Sequence, residues 1–176
     1  MKELVREHTF RWTDPRAILR SADAEIAGLQ WLQMMQAGEV EPPPLASALG
    51  MTIEAIEEGR VVFSMRGREW MCNPAVVIHG GITATLLDTV LTLAVVTKLP
   101  AKKSAQTIEM NLHYVRPLLP DGTAFRAEGL AVHVGGSIAT AEGRVYNEAG
   151  KLVSHGTATL ALLDVTAMLT RSPASP

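Results

Sequence analysis

The chain has 176 residues, 47% apolar and 19% charged, enough apolar material for a packed domain with an appendage and too much for a disordered chain. Its formal net charge of −2 gives no overall electrostatic case for nucleic acid or an anionic membrane surface. The single cysteine, Cys72, excludes an intrachain disulfide and a cysteine-based metal cluster.

The chain opens on a charged stretch carrying Lys2, Glu3, Arg6, Glu7 and Arg11, with no apolar run of signal-peptide type. The longest apolar segment is shorter than a membrane span and carries Asp88. A cytoplasmic protein, with neither membrane nor nucleic acid as partner, is therefore expected. Thr13-Asp14-Pro15 supplies a capping side chain followed by a first-turn proline, which predicts a helix over 15–36 with a break near Ser21. Ile18, Leu19, Ile26, Leu29, Leu32 and Met35 fall at helical spacing, and Gly38 stops the helix. Trp31 and Met34-Met35 are read as a docking face rather than a binding box. Glu41-Pro42-Pro43-Pro44 can be neither helix nor central strand, so it separates an N-terminal helical arm from the main domain. The expected units are an arm and linker over 1–42, a domain over 43–165 and a loose tail over 166–176.

Residues 45–49 form a short helical turn. Strands over 51–57 and 60–68 are joined by a hairpin at Glu58-Gly59, with Val61, Phe63 and Met65 alternating against Val62, Ser64 and Arg66. Next comes a polar turn over 73–81, then a helix over 82–98 that is apolar nearly all round and is therefore buried. Asp88 sits in its middle; a carboxylate there is paired, at an interface, or chemically employed. Strands follow over 104–115, 123–134, 137–146 and 151–163, separated by short Pro/Gly turns that read as antiparallel hairpins. A single helix buried on every face needs a curved sheet wrapped around it. The sheet still has an edge, which invites a second copy. The fold class expected is α+β, a curved antiparallel sheet around one long buried helix with an N-terminal helical arm.

Asn73, His79-Gly80-Gly81 and Asp88, with Thr107-Ile108-Glu109-Met110-Asn111 after the helix and Gly135-Gly136-Ser137 between later strands, resemble the hotdog-fold acyl-CoA thioesterases. Within them the pattern is most similar to the PaaI-like branch and its mammalian thioesterase-superfamily-member-2 relatives. The resemblance spans roughly residues 44–163 and does not reach the arm. It implies a homodimer with two active sites at the interface, assembling further into a tetramer as a dimer of dimers. It implies Asp88 as nucleophile or general base, Asn73, His79 and Gly80 as the groups that polarise the thioester, and Thr107 as the hydroxyl assisting water. By position it implies that CoA lies along Gly81, Arg116, Gly135, Gly136, Ser137, His155, Gly156 and Thr157. It implies an acyl-CoA or aryl-CoA substrate as the ligand, with no further cofactor and no metal.

Elementary chemistry runs alongside the resemblance. Thioester hydrolysis needs a donor for the developing oxyanion and a carboxylate near one carbonyl carbon. Backbone N–H groups at a helix N-terminus, opened here by Gly80 and Gly81, supply the first, and Asp88 supplies the second by direct attack or by activating water. His79 and Asp88 lie about 13 Å apart on one helix at ~1.5 Å per residue. That is too far to serve one carbonyl, so if both act, Asp88 comes from a neighbouring subunit. Plainer roles compete: His79 as a turn cap, Asp88 as an interface hydrogen-bonding residue, Asn73 as an Asx turn, Thr107 as an ordinary strand residue. His8, His113 and His133 are read as surface or strand residues. Competing functions are a non-catalytic acyl-CoA sensing module and an enoyl-CoA hydratase. The hydratase ranks lower because Asn73-Pro74 stands apart from His79. The arm has no convincing DNA-reading helix-turn-helix.

Overall fold

The computed structural model describes residues 5–15 and 25–165; the expected break near Ser21 and the tail over 166–176 lie outside them. Residues 25–27 are not helical, and Ala27 is extended (ψ 153°), so helix α1 covers Gly28–Gln36 and the helical pattern expected over 15–36 is interrupted at 25–27. The reason is packing. A Cβ on Gly28 would lie 2.1 Å from the Val96 carbonyl oxygen, so the chain must enter α1 pressed against the end of the central helix. Leu32 is wholly buried there, and Trp31 packs against the same core, as the docking reading expected. Helix α2, Pro44–Leu49, begins with proline at its first position and ends on Gly50 in the left-handed region, φ 66°.

Strands β1 (Thr52–Glu57) and β2 (Arg60–Arg66) form a hairpin that turns at Gly59, φ 79°. A one-turn 3-10 helix, Glu69–Met71, leads to the loop before α3, Gly80–Val96. The remaining strands are β3 (Lys103–Tyr114), β4 (Ala124–Val134), β5 (Ile138–Asn147) and β6 (Leu152–Asp164). All pairings are antiparallel, in the order β1-β2-β4-β5-β6-β3. The expected hairpin between β3 and β4 is absent: β3 pairs with β6, and the chain crosses to β4 past the N-terminus of α3. Val115 and Arg116 N–H donate to the Val153 carbonyl, and Ile78 N–H donates to Leu118, which carries that connection across. At its end Asp121 accepts from the Thr123 hydroxyl and N–H, which hold its carboxyl below the usual range.

The sheet curls around α3, whose Leu86, Leu87, Val90, Leu91, Ala94 and Val95 are fully buried. Close approach is set by glycines in register on neighbouring strands: Gly129 of β4 faces Gly143 of β5. A Cβ on Gly129 would lie 2.2 Å from the Val90 carbonyl oxygen, and one on Gly143 would press on Leu87 and Leu91. One expectation fails in an informative way. α3 is not buried all round within the chain: Gly81 is exposed, and Thr85, Asp88, Thr89 and Thr92 are half-buried along the same side. Strand β3, a sheet edge twelve residues long, flanks that uncovered stripe. This is the hotdog fold, α+β, with its helix open along one side.

Candidate active site

The loop that feeds α3 is closed by backbone bonds. Cys72 and Ile78 form an isolated antiparallel bridge, Asn73 N–H donates to Val77 at 2.9 Å, and His79 N–H donates to Met71 at 2.9 Å. The Asn73 side-chain oxygen accepts from Ala75 N–H at 2.9 Å, the Asx turn weighed among the alternatives. Asn73 therefore builds the loop through that oxygen. Val76 at the loop tip has φ 59°, a region that costs an L residue roughly 1–2 kcal/mol, and its side chain is exposed.

His79 is the N-cap of α3, its Nδ1 accepting from Gly81 N–H at 2.9 Å. This commits the Gly81 N–H that the sequence had offered as a second oxyanion donor. Ile82 N–H donates to the His79 carbonyl, so among the described residues Gly80 N–H is the first-turn donor with no acceptor. The Gly80 carbonyl accepts from the Tyr114 hydroxyl at 3.1 Å. A cavity of about 360 Å³ opens beside this turn, lined by Gly80, Thr83, Tyr114, Arg116 and the apolar side chains of Ile78 and Val153, among others. Ser154, opposite Tyr114 in the ladder, is fully buried and its hydroxyl has no partner among the described residues.

A second constellation lies further along α3. Thr107 Oγ1 donates to Asp88 Oδ1 at 2.7 Å, and Thr92 Oγ1 lies 3.1 Å from Thr107 Oγ1. Thr107 stands where the β3–β6 register shifts, at a bulge before Glu109. Such bulges re-aim side chains next to functional sites. The carboxylate and hydroxyl chosen from the sequence are thus in direct contact, while His79 and Gly80 sit nine and eight residues earlier on the same helix axis.

The other expected residues divide. Arg116 lines the cavity at Gly80 and donates to the Leu152 carbonyl. Gly135, Gly136 and Ser137 form the β4–β5 turn at the Thr107 end, where Ser137 accepts from Leu162 N–H. His155 stacks on His113, ring centroids 5.0 Å apart, on the opposite side of β6 from the buried Gly156. Gly156 is a packing glycine, since a Cβ there would meet the Asn111 carbonyl at 2.3 Å. Thr157 is exposed opposite Asn111. Tyr114 and Thr92 were missed. Thr92 is one helical turn from Asp88, a spacing visible in the sequence; Tyr114 gave no signal beyond strand alternation. Among the described residues there is no cluster of three metal-ligating side chains, and no helix long and apolar enough to cross a membrane.

Residues 76–154 match the sequence model of the thioesterase superfamily. A Halobacterium salinarum protein named as a candidate esterase is 34% identical over 108 residues, covering 58% of this chain and 70% of its own. A phenylacetic acid degradation-related protein of Ralstonia eutropha, described as a candidate thioesterase, is 27% identical, with 73% and 97% of the two chains covered and a TM-score of 0.67. At the level of fold alone, a Streptococcus mutans protein solved with acetyl-CoA is 21% identical, with 65% and 89% covered and a TM-score of 0.60. The chain belongs to the thioesterase superfamily, and its likeness within it runs to the PaaI-like branch.

Proposed function

We propose that this thioesterase-superfamily protein hydrolyses an acyl-CoA or aryl-CoA thioester to CoA and a carboxylic acid, at a site completed by a second copy of the chain. One observation carries the reading. The Gly80 N–H, without an acceptor among the described residues, lies at the Tyr114 end of edge strand β3, and the Asp88–Thr107 pair lies in the opposite half of that strand. Within one chain they are about 12 Å apart along α3 at ~1.5 Å per residue. Two β3 edges paired antiparallel about a two-fold axis bring the Gly80 end of one copy to the Thr107 end of the other. The same pairing covers the open stripe of α3.

In such a site the thioester oxygen lies on Gly80 N–H, where the helix N-terminus stabilises the charge that develops on it. The partner subunit's Asp88 faces the carbonyl carbon and either attacks it or takes a proton from water. Collapse of the tetrahedral intermediate expels CoA thiolate. Where water attacked, the acid forms directly and the proton taken by Asp88 passes to the thiolate; where Asp88 attacked, water hydrolyses the resulting acyl–Asp88 anhydride to the acid and frees the carboxylate. The S. mutans relative's acetyl-CoA supports a CoA ester as substrate. Arg116, beside the cavity mouth, is suited to the anionic parts of CoA.

The test is thiol release from a panel of acyl- and aryl-CoA esters by wild type, Asp88→Asn and Gly80→Val, then by the two variants mixed after subunit exchange. Each variant alone is expected to be inactive. The mixture regains about a quarter of wild-type activity, because half the dimers are mixed and each carries one intact site. No recovery in demonstrably mixed dimers rejects the shared site. CoA esters that bind equally to wild type and Asp88→Asn without turnover favour a sensing module.

A further inference from the structure

We propose that Thr92 is a positioning residue for the Asp88 carboxylate, acting through the Thr107 hydroxyl; this rests on the acyl-transfer reading above. Proton accounting sets the direction of the chain. A hydroxyl has one hydrogen to donate, and an ionised carboxylate only accepts. Thr107 gives its hydrogen to Asp88 Oδ1 across 2.7 Å. The 3.1 Å contact between Thr92 and Thr107 is then a bond in which Thr92 donates.

Thr85 and Thr89 of α3, and Thr97 just after it, show that this is a particular choice of rotamer. Thr85 donates to the Gly81 carbonyl and Thr89 to the Thr85 carbonyl, each at 2.8 Å, and Thr97 donates to Ala94 at 2.7 Å. Bonding back along the helix is the local habit of threonine. Thr92 instead reaches outward to β3. Asp88 and Thr92 are four residues apart and share a helix face, so Thr107 docks against both.

The consequence is a fixed hydroxyl. Donation from Thr92 occupies a lone pair of Thr107 and holds its rotor, so the Thr107 proton stays on Oδ1. Asp88 Oδ2, without a hydrogen-bond partner among the described residues, is the oxygen left facing a reacting carbon or a water.

Thr92→Val keeps the shape of the side chain and removes the donor. Its expected effect is a loss in kcat of about 2- to 10-fold, the size of one net neutral hydrogen bond. KM stays within about twofold, since ground-state binding is untouched. Thr92→Ser restores kcat. In a Thr107→Val background, Thr92→Val has no further effect, because the link it acts through is gone. Three-bond couplings to the Thr107 methyl carbon report the same device without turnover: a single χ1 rotamer in wild type and Thr92→Ser, an averaged one in Thr92→Val. An unchanged kcat in Thr92→Val, an equal loss in both backgrounds, or an unmoved Thr107 rotamer each overturns the proposal. A wild type silent on the whole ester panel overturns the thioesterase reading instead and leaves the couplings to decide on Thr92.

Discussion

The Tyr114 hydroxyl donates to the Gly80 carbonyl oxygen at 3.1 Å, and its ring lies against the same glycine, where a Cβ would come within 3.2 Å of Cζ. The Gly80–Gly81 peptide is therefore held at both ends, by Tyr114 on its oxygen and by His79 Nδ1 on its N–H. This fixes the turn that presents the Gly80 N–H. Tyr114→Phe removes only the hydroxyl and is expected to lower kcat/KM by up to about tenfold. Gly80→Ala forces the ring aside and is expected to cost more. Steady-state kinetics on one ester, with circular dichroism as a fold control, ranks the two. A Tyr114→Phe loss exceeding that of Gly80→Ala contradicts the assignment.

His79 is the cap of α3, and capping can be separated from chemistry. His79→Ala leaves Gly81 N–H without its acceptor and should cost about 0.5–2 kcal/mol of stability. Asparagine is a good N-cap, so His79→Asn is expected to keep the stability of wild type in urea denaturation. If His79→Asn also keeps full activity, His79 acts through the cap alone. Stability kept with activity lost assigns the imidazole Nε2 to the substrate.

Gly129 and Gly136 make a matched pair. A Cβ at Gly129 would meet the Val90 carbonyl at 2.2 Å and the Leu91 nitrogen at 3.0 Å, and backbone cannot swing aside. Gly129→Ala should therefore destabilise by about 3 kcal/mol or more, through overpacking between helix and sheet. Around Gly136 nothing lies within 4 Å, so Gly136→Ala should sit within about 0.5 kcal/mol of wild type. Denaturant midpoints compare them directly, and equal midpoints would refute the close approach of α3.

Arg6, His8 and Phe10 of the N-terminal segment lie on the 3-10 helix just before the site. His8 stacks on Trp70, centroids 4.9 Å apart, Phe10 meets it edge-on at 5.2 Å, and Arg6 pairs with Glu69 at 2.9 Å. Both partners of the ion pair are more than half exposed, so the rings should dominate the docking. Trp70→Ala is expected to speed tryptic cleavage at Arg6 and Arg11 several-fold, and Arg6→Ala is expected to leave docking through the rings unchanged. Cleavage at Arg11 unaltered by Trp70→Ala would show that the rings do not hold the segment.

The sequence alone determined the hotdog architecture, by pattern and by resemblance, and named Asp88 and Thr107 separately; that the two touch within one chain came from the tertiary structure. Its apolar helix between strand patterns and its His-Gly-Gly turn are local signals, set by side-chain period and by glycine's freedom. Strand limits came within a residue or two for the same reason, because turn chemistry at Gly59 and Gly150 is local. What tertiary structure decided was whatever depends on distant residues meeting. The β3–β6 pairing replaced an expected hairpin because β3 closes the far edge of the curl. Residues 25–27 left the helical pattern because Gly28 must press on Val96. The Gly81 N–H left the list of oxyanion donors because the His79 ring folds back onto it, a rotamer choice that no spacing encodes. The open side of α3 was hidden by its composition, since threonine beside leucine reads as apolar until the sheet's reach is known. Thr85, Asp88, Thr89 and Thr92 remain only half-buried because the curled sheet ends at β3 and, among the described residues, no further strand lies beyond it.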